Sequence, residues 1–229
     1  MDNKKNTILL TVIAVATLLV AVVGATFAYF TAQGGASSKA DVTVKTGTAA
    51  STSFGTWEAI SITADQTNFA QGAGDQSGTS TGEVSWTAPG ATQTYTPTEA
   101  ERSMCYTATL QIDKNTFVVS STNTNEDAEL IFKAEMGHMT GETGARQFTS
   151  EKVVINDLDI TTTKTNIQIP TAADTTNYVH KLVADAGATV ADAWKLTVTL
   201  KNLDVDQNDN TGKEFVGKVV FDKATCPTE

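Results

Sequence analysis

Residues 194–201 read WKLTVTLK. Trp194, Leu196, Val198 and Leu200 alternate with Lys195, Thr197, Thr199 and Lys201. A period of two marks a strand with one buried face and one wet face. Thr suits the wet face, being β-branched yet polar. The same alternation recurs outward from this stretch. Tyr106, Ala108, Leu110 and Ile112 alternate with Thr107, Thr109 and Gln111. Ala128, Leu130, Phe132 and Ala134 alternate with Glu129, Ile131, Lys133 and Glu135, and Phe215, Val219 and Phe221 repeat the pattern. Residues 42–44, 116–120, 153–160 and 166–169 also read as strands, the last ended by Pro170. Phe54, Trp57, Ile60 and Ile62 suggest short strands that feed the core. Residues 177–185 are ambiguous: Tyr178, Leu182 and Val183 fit a helix, whereas the neighbouring elements favour a strand. Thr98 followed by Glu101 has the form of a capping box and predicts a turn or two of helix. The polar stretches 71–83 and 136–150 read as loops. Eight to ten strands with little helix predict an all-β fold, a two-sheet β-sandwich of jelly-roll or Greek-key type.

Composition agrees. Thr occurs forty times among 229 residues, with four Pro and sixteen Gly. The net charge is −10. That acidity argues against nucleic acid and against anionic lipid as partners. Cys105 and Cys226 are the only cysteines, and no CxxC spacing exists. In a secreted chain one such pair predicts a single disulfide, closing a loop of about 120 residues. Two unpaired thiols are the other reading.

The N-terminus points to export. Lys4 and Lys5 precede an apolar run from Ile8 to Phe30. This is the layout of a secretory signal, although the run is also long enough to span a bilayer. Its end separates the two readings. Gly24, Ala25, Thr26 and Ala28 are small, and no Lys or Arg follows until Lys39. A cut suits these residues better than a stop-transfer anchor does. Loss of residues 1–28 removes Asp2, Lys4 and Lys5 and leaves a net charge of −11. The membrane is then a partner only through the uncleaved signal. Residues 33–40, QGGASSKA, read as a flexible linker.

The stretch GATFAYFTA at 24–32 resembles the signal peptides of the TasA and camelysin-type family of Gram-positive bacteria. The resemblance implies processing by the dedicated signal peptidase SipW, between Ala28 and Tyr29. The C-terminal stretch NLDVDQN followed by Gly212-Lys213-Glu214-Phe215-Val216-Gly217 is similar to the final hairpin of proteins with this signal. The middle of the chain carries no such likeness. Cys105 and Cys226 depart from TasA itself.

Candidate chemistry is sparse. Asp204, Asp206 and Asn208 alternate in an acidic loop and could converge on calcium. The full EF-hand pattern fails, because Asp209 stands at the glycine position and Phe215 at the closing glutamate. A solvated turn is the plainer reading. His138 and His180 form no HExxH pattern, and both read as surface or loop residues. No nucleophile elbow, phosphate loop or dinucleotide fingerprint is present. Trp57, Trp86 and Trp194 are expected to pack rather than to stack on sugars. No cofactor beyond calcium is indicated, and the chain is not expected to be an enzyme.

The domain reading is a signal peptide over 1–28, an N-terminal arm over 29–48 and the sandwich over 49–229. The resemblance implies a secreted extracellular-matrix or surface-fibre subunit that self-associates by donor-strand exchange. Residues 41–46 are the candidate donor, with Val42 and Val44 facing inward. Two alternatives stand beside this. A non-polymerising adhesin would use the loops 71–83 and 136–150, and a camelysin-type metallopeptidase would need the two histidines.

Overall fold

A computed structural model describes residues 49–227, apart from 57, 71, 93, 142–145 and 173–176. The signal peptide, the proposed cleavage bond Ala28–Tyr29 and the donor residues Val42 and Val44 lie outside the described residues, as does Trp57.

Among the described residues, ten strands form two sheets. The first runs β1 (Ser51–Thr56), β3 (Gln76–Thr87), β9 (Thr189–Leu200), β5 (Leu130–Thr140) and β6 (Gln147–Asp159) in spatial order. The second runs β2 (Ile60–Thr63), β10 (Glu214–Ala224), β4 (Ser103–Asn115) and β7 (Ile167–Ile169). Strand β8 (His180–Val183) joins the second sheet beside β7, on the same edge of β4. All pairs are antiparallel. Only the β5–β6 and β7–β8 connections stay within one sheet. The rest cross between sheets, which is the Greek-key and jelly-roll manner of building a sandwich. Helix is confined to two 3-10 turns among the described residues, Gln66–Phe69 and Asn208–Asn210.

The alternating residues make the core. Trp194, Leu196, Val198 and Leu200 are buried from β9, facing Tyr106, Ala108 and Leu110 of β4 and Phe215 and Val219 of β10. Each such aliphatic side chain contributes roughly 1.5–3 kcal/mol by leaving water. Thr98 and Glu101 do form a capping box around a single turn, through Thr98 N–H to Glu101 Oε2 at 3.0 Å and Glu101 N–H to Thr98 Oγ1 at 3.4 Å. The ambiguous stretch 177–185 resolves as the short strand β8.

Two expected loops are largely strand. The stretch 71–83 contains the first half of β3, whose inward residues there are Gly78, Ser80 and Gly82. They are small because the second sheet comes close. A β-carbon on Gly78 would sit 2.9 Å from Ile60. The stretch 136–150 belongs to the β5–β6 hairpin except for its tip. Its register shifts near Phe132, Ala134 and Met136, and β6 buries only Val154 fully. Bulges and charge on an outer strand discourage edge-to-edge pairing.

Candidate functional site

The feature that stands out is an uncovered edge. Strand β10 pairs with β4 from Phe215 to Ala224, but on its other side β2 covers only Glu214–Gly217. No described strand lies beside residues 218–224 on that side.

The chain closes one end of this lane itself. Thr56 Oγ1 donates to Val219 O at 2.9 Å, and Val219 N–H donates to Ser80 Oγ at 3.1 Å. Ser80 Oγ in turn donates to Glu58 O. Thr56, Glu58, Ala59, Lys218 and Val220 line an open recess of about 410 Å³ there. Main-chain groups alternate sides along a strand. Those of Phe221 and Lys223 therefore point the same way as those of Val219, into the lane beyond the closed end. Its inner wall is aromatic. Phe221 stacks on Phe54 of β1 with ring centroids 6.4 Å apart, and both rings are only partly buried.

The lane's other end carries the disulfide. Cys105 and Cys226 are bonded, 121 residues apart in sequence, as the cysteine count predicts. The β10–β4 ladder ends at the pair Ala224–Cys105, so the bond staples the end of β10 to β4. The first described strand, β1, starts at this same end. Ser51 opens β1 opposite Thr87, and the adjacent Trp86 donates from Nε1 to Arg102 O, one residue ahead of β4.

No family model, curated protein or solved structure matches the chain.

The acidic loop 201–213 does something other than gather its carboxylates. Asp204 Oδ1 accepts from Gly72 N–H, and Asp206 Oδ1 accepts from Asn208 N–H in a local turn. Asp209 Oδ2 accepts from Ser121 N–H at 2.7 Å, which holds its carboxyl below the usual range. Among the described residues no three His, Cys, Asp or Glu side chains come together to hold a metal. The loop is organised instead by Glu129, which alternation had placed on a wet face. Glu129 is fully buried. Its Oε2 accepts from Asn210 Nδ2 at 2.6 Å, Ser120 Oγ at 2.8 Å and Gln207 Nε2 at 3.0 Å. Its Oε1 accepts from Ser120 N–H at 2.6 Å and Asn123 Nδ2 at 3.2 Å. A buried carboxyl needs its acceptor sites filled, and here five uncharged donors fill them. The network ties residues 120–129 to 207–210, and so fixes the hairpin that delivers β10.

The histidines are far from each other in role. His138 lies exposed on β5, with Nδ1 at 2.7 Å from Glu151 Oε1. His180 is buried, contrary to the surface reading. Its ring stacks on Tyr106 at 5.2 Å and meets Trp194 edge-on at 4.8 Å. Nε2 donates to Ile169 O at 3.0 Å. Burial pushes its pKa below the ordinary value. Trp194 Nε1 donates to Tyr106 Oη at 3.0 Å, which donates to Asp192 Oδ2 at 2.6 Å. Burial raises the Asp192 carboxyl and, with the adjacent Asp192 charge, raises the Tyr106 hydroxyl. Trp86 and Trp194 pack in the core as expected.

The uncovered edge was not legible beforehand. The small-residue period Gly78-x-Ser80-x-Gly82 marks where the second sheet approaches β3, but not where the β10 edge is left uncovered.

Proposed function

We propose that this chain is a secreted extracellular-matrix or surface-fibre subunit of TasA and camelysin type, and that it polymerises by donor-strand exchange. Residues 41–46 of one copy lie beside β10 of the next. The uncovered stretch of β10 from Lys218 to Ala224 is the observation that carries this reading. A sheet edge presents unpaired main-chain groups and invites an extended strand. Val42 and Val44 are two residues apart, the spacing at which side chains of an incoming strand face one side. Directed inward, they cover the partly buried rings of Phe54 and Phe221. Strand β1, which follows the proposed arm, begins at the open end of the lane. SipW-type cleavage after Ala28 frees the arm.

The adhesin reading rested on the length of the loops 71–83 and 136–150. Much of both is strand, so that support is gone. The metallopeptidase reading needs His138 and His180 to share a site, and they stand on β5 of one sheet and β8 of the other.

The test is to purify the chain from Tyr29, concentrate it and image it. Fibres are expected, and deletion of residues 29–46 abolishes them. A chain that stays monomeric, or fibres that survive the deletion, defeats the reading.

A further inference from the structure

The disulfide sits where the lane is weakest. Strand β4 is held on both sides at Cys105: Ala224 is its ladder partner on one flank and Lys181 of β8 on the other. Cys105 is buried, and neither of its backbone ladder pairings involves the sulfur. The end of β10 has no such support. From Lys218 to Ala224 it pairs with β4 alone, and residues 225–227 beyond it are in no strand. Cys226 lies in that tail, more exposed than its partner. The bond thus ties a loosely held strand end to a firmly held strand. Strand ends with one neighbour open locally at little cost. Covalent attachment two residues past the last pair suppresses that opening.

We infer that the Cys105–Cys226 bond is a redox gate on strand acceptance: oxidised, it holds residues 221–224 in register as the wall of the lane; reduced, that wall frays. The inference rests on the donor-strand reading and adds a control to it. Reduction by an external dithiol balances simply. The dithiol supplies two electrons and two protons, the S–S bond breaks, two thiols form, and the dithiol closes to its own disulfide. The gate requires the core to stay packed through this step. Cys105 is buried, but the apolar core cluster includes neither cysteine.

The experiment compares the chain starting at Tyr29 in three forms: oxidised, reduced with an excess of dithiothreitol, and carrying Cys226→Ser. Amide hydrogen exchange is read over a labelling time in which Leu196 and Val198 of β9 stay protected in the oxidised form. By strand alternation the amides of Asp222 and Ala224 face β4, so they report the ladder end. Reduced and variant chains are expected to exchange these two amides about tenfold faster or more while β9 stays protected. Light scattering is expected to show slower fibre growth in the same two forms. Unchanged protection at Asp222 and Ala224 overturns the gate. So does loss of β9 protection in the same window, because the bond then holds the whole domain rather than the lane. Equal growth in all three forms also overturns it. An oxidised chain that never assembles defeats the fibre reading instead, and the exchange comparison still decides whether the bond clamps the edge.

Discussion

Gly82 on β3 and Phe221 on β10 are in contact across the two sheets: a β-carbon on Gly82 would lie 2.6 Å from the Phe221 ring and 2.8 Å from Val219. The sandwich closes at this point because β3 offers no side chain. The ring of Phe221, resting on Gly82, is at once part of the core and the inner wall of the uncovered lane.

Gly82→Ala is therefore expected to destabilise the domain by about 1–3 kcal/mol, the usual cost of overpacking. The ring has one way to yield, outward into the lane. The variant should lose fibre growth out of proportion to its loss of stability. Urea denaturation gives the first quantity and light scattering the second. Gly74→Ala is the control, since a β-carbon there meets nothing within 4 Å.

Glu129→Gln tests the buried network. Both carboxyl oxygens accept hydrogen bonds, so an amide NH₂ placed there faces donors. The expected cost is about 2–3 kcal/mol by urea denaturation. Asp206→Asn should change stability by no more than about 0.5 kcal/mol, because Asn can still accept from Asn208 N–H. Equal effects would mean that the acidic carboxylates, and not Glu129, organise the loop. Adding calcium or a chelator is expected to leave the Tm unchanged, since Asp204 and Asp206 are engaged separately.

Much of the sandwich is legible in the sequence, and each exception has its own physical cause. Strands β4, β9 and the start of β5 announce themselves because each buries large residues on one face only. Strand β3 hides because the positions that face the core at Gly78, Ser80 and Gly82 are small, so no apolar alternation exists to read. The first half of β6 hides because it is an outer strand whose bulges break the period, whereas 153–160 reads as a strand. Glu129 departs from its expected wet face because it precedes the first residue of β5, where alternation no longer governs burial. His180 obeys the period, with Leu182 buried two residues on, but its polar ring disguises a core position. The uncovered edge of β10 had no sequence signal, since it depends on where a four-residue β2 stops.

His180 makes stability depend on pH. Its folded pKa lies below the ordinary imidazole value, so the unfolded chain binds the proton more readily. The contribution is fully present above about pH 6.5 and is lost as pH falls from there toward the folded pKa. Asp192 acts in the opposite sense, because its folded pKa is raised. The difference between wild type and His180→Asn isolates the imidazole. Urea midpoints from pH 7.5 down to 5 should fall more steeply for wild type. Parallel curves would show that His180 does not titrate in that window.

The central claim is that residue 42 of one copy lies beside β10 of another. A photo-crosslinking amino acid at position 42 of the chain starting at Tyr29 tests it, in fibres grown from a mixture of ¹⁴N- and ¹⁵N-labelled protein. Mass spectrometry of the digested fibres then assigns each crosslink to one chain or to two. The account predicts mixed-isotope crosslinks between residue 42 and the peptide containing Lys218–Ala224. Crosslinks to that peptide within a single isotope only, or mixed crosslinks elsewhere on the domain, would contradict it.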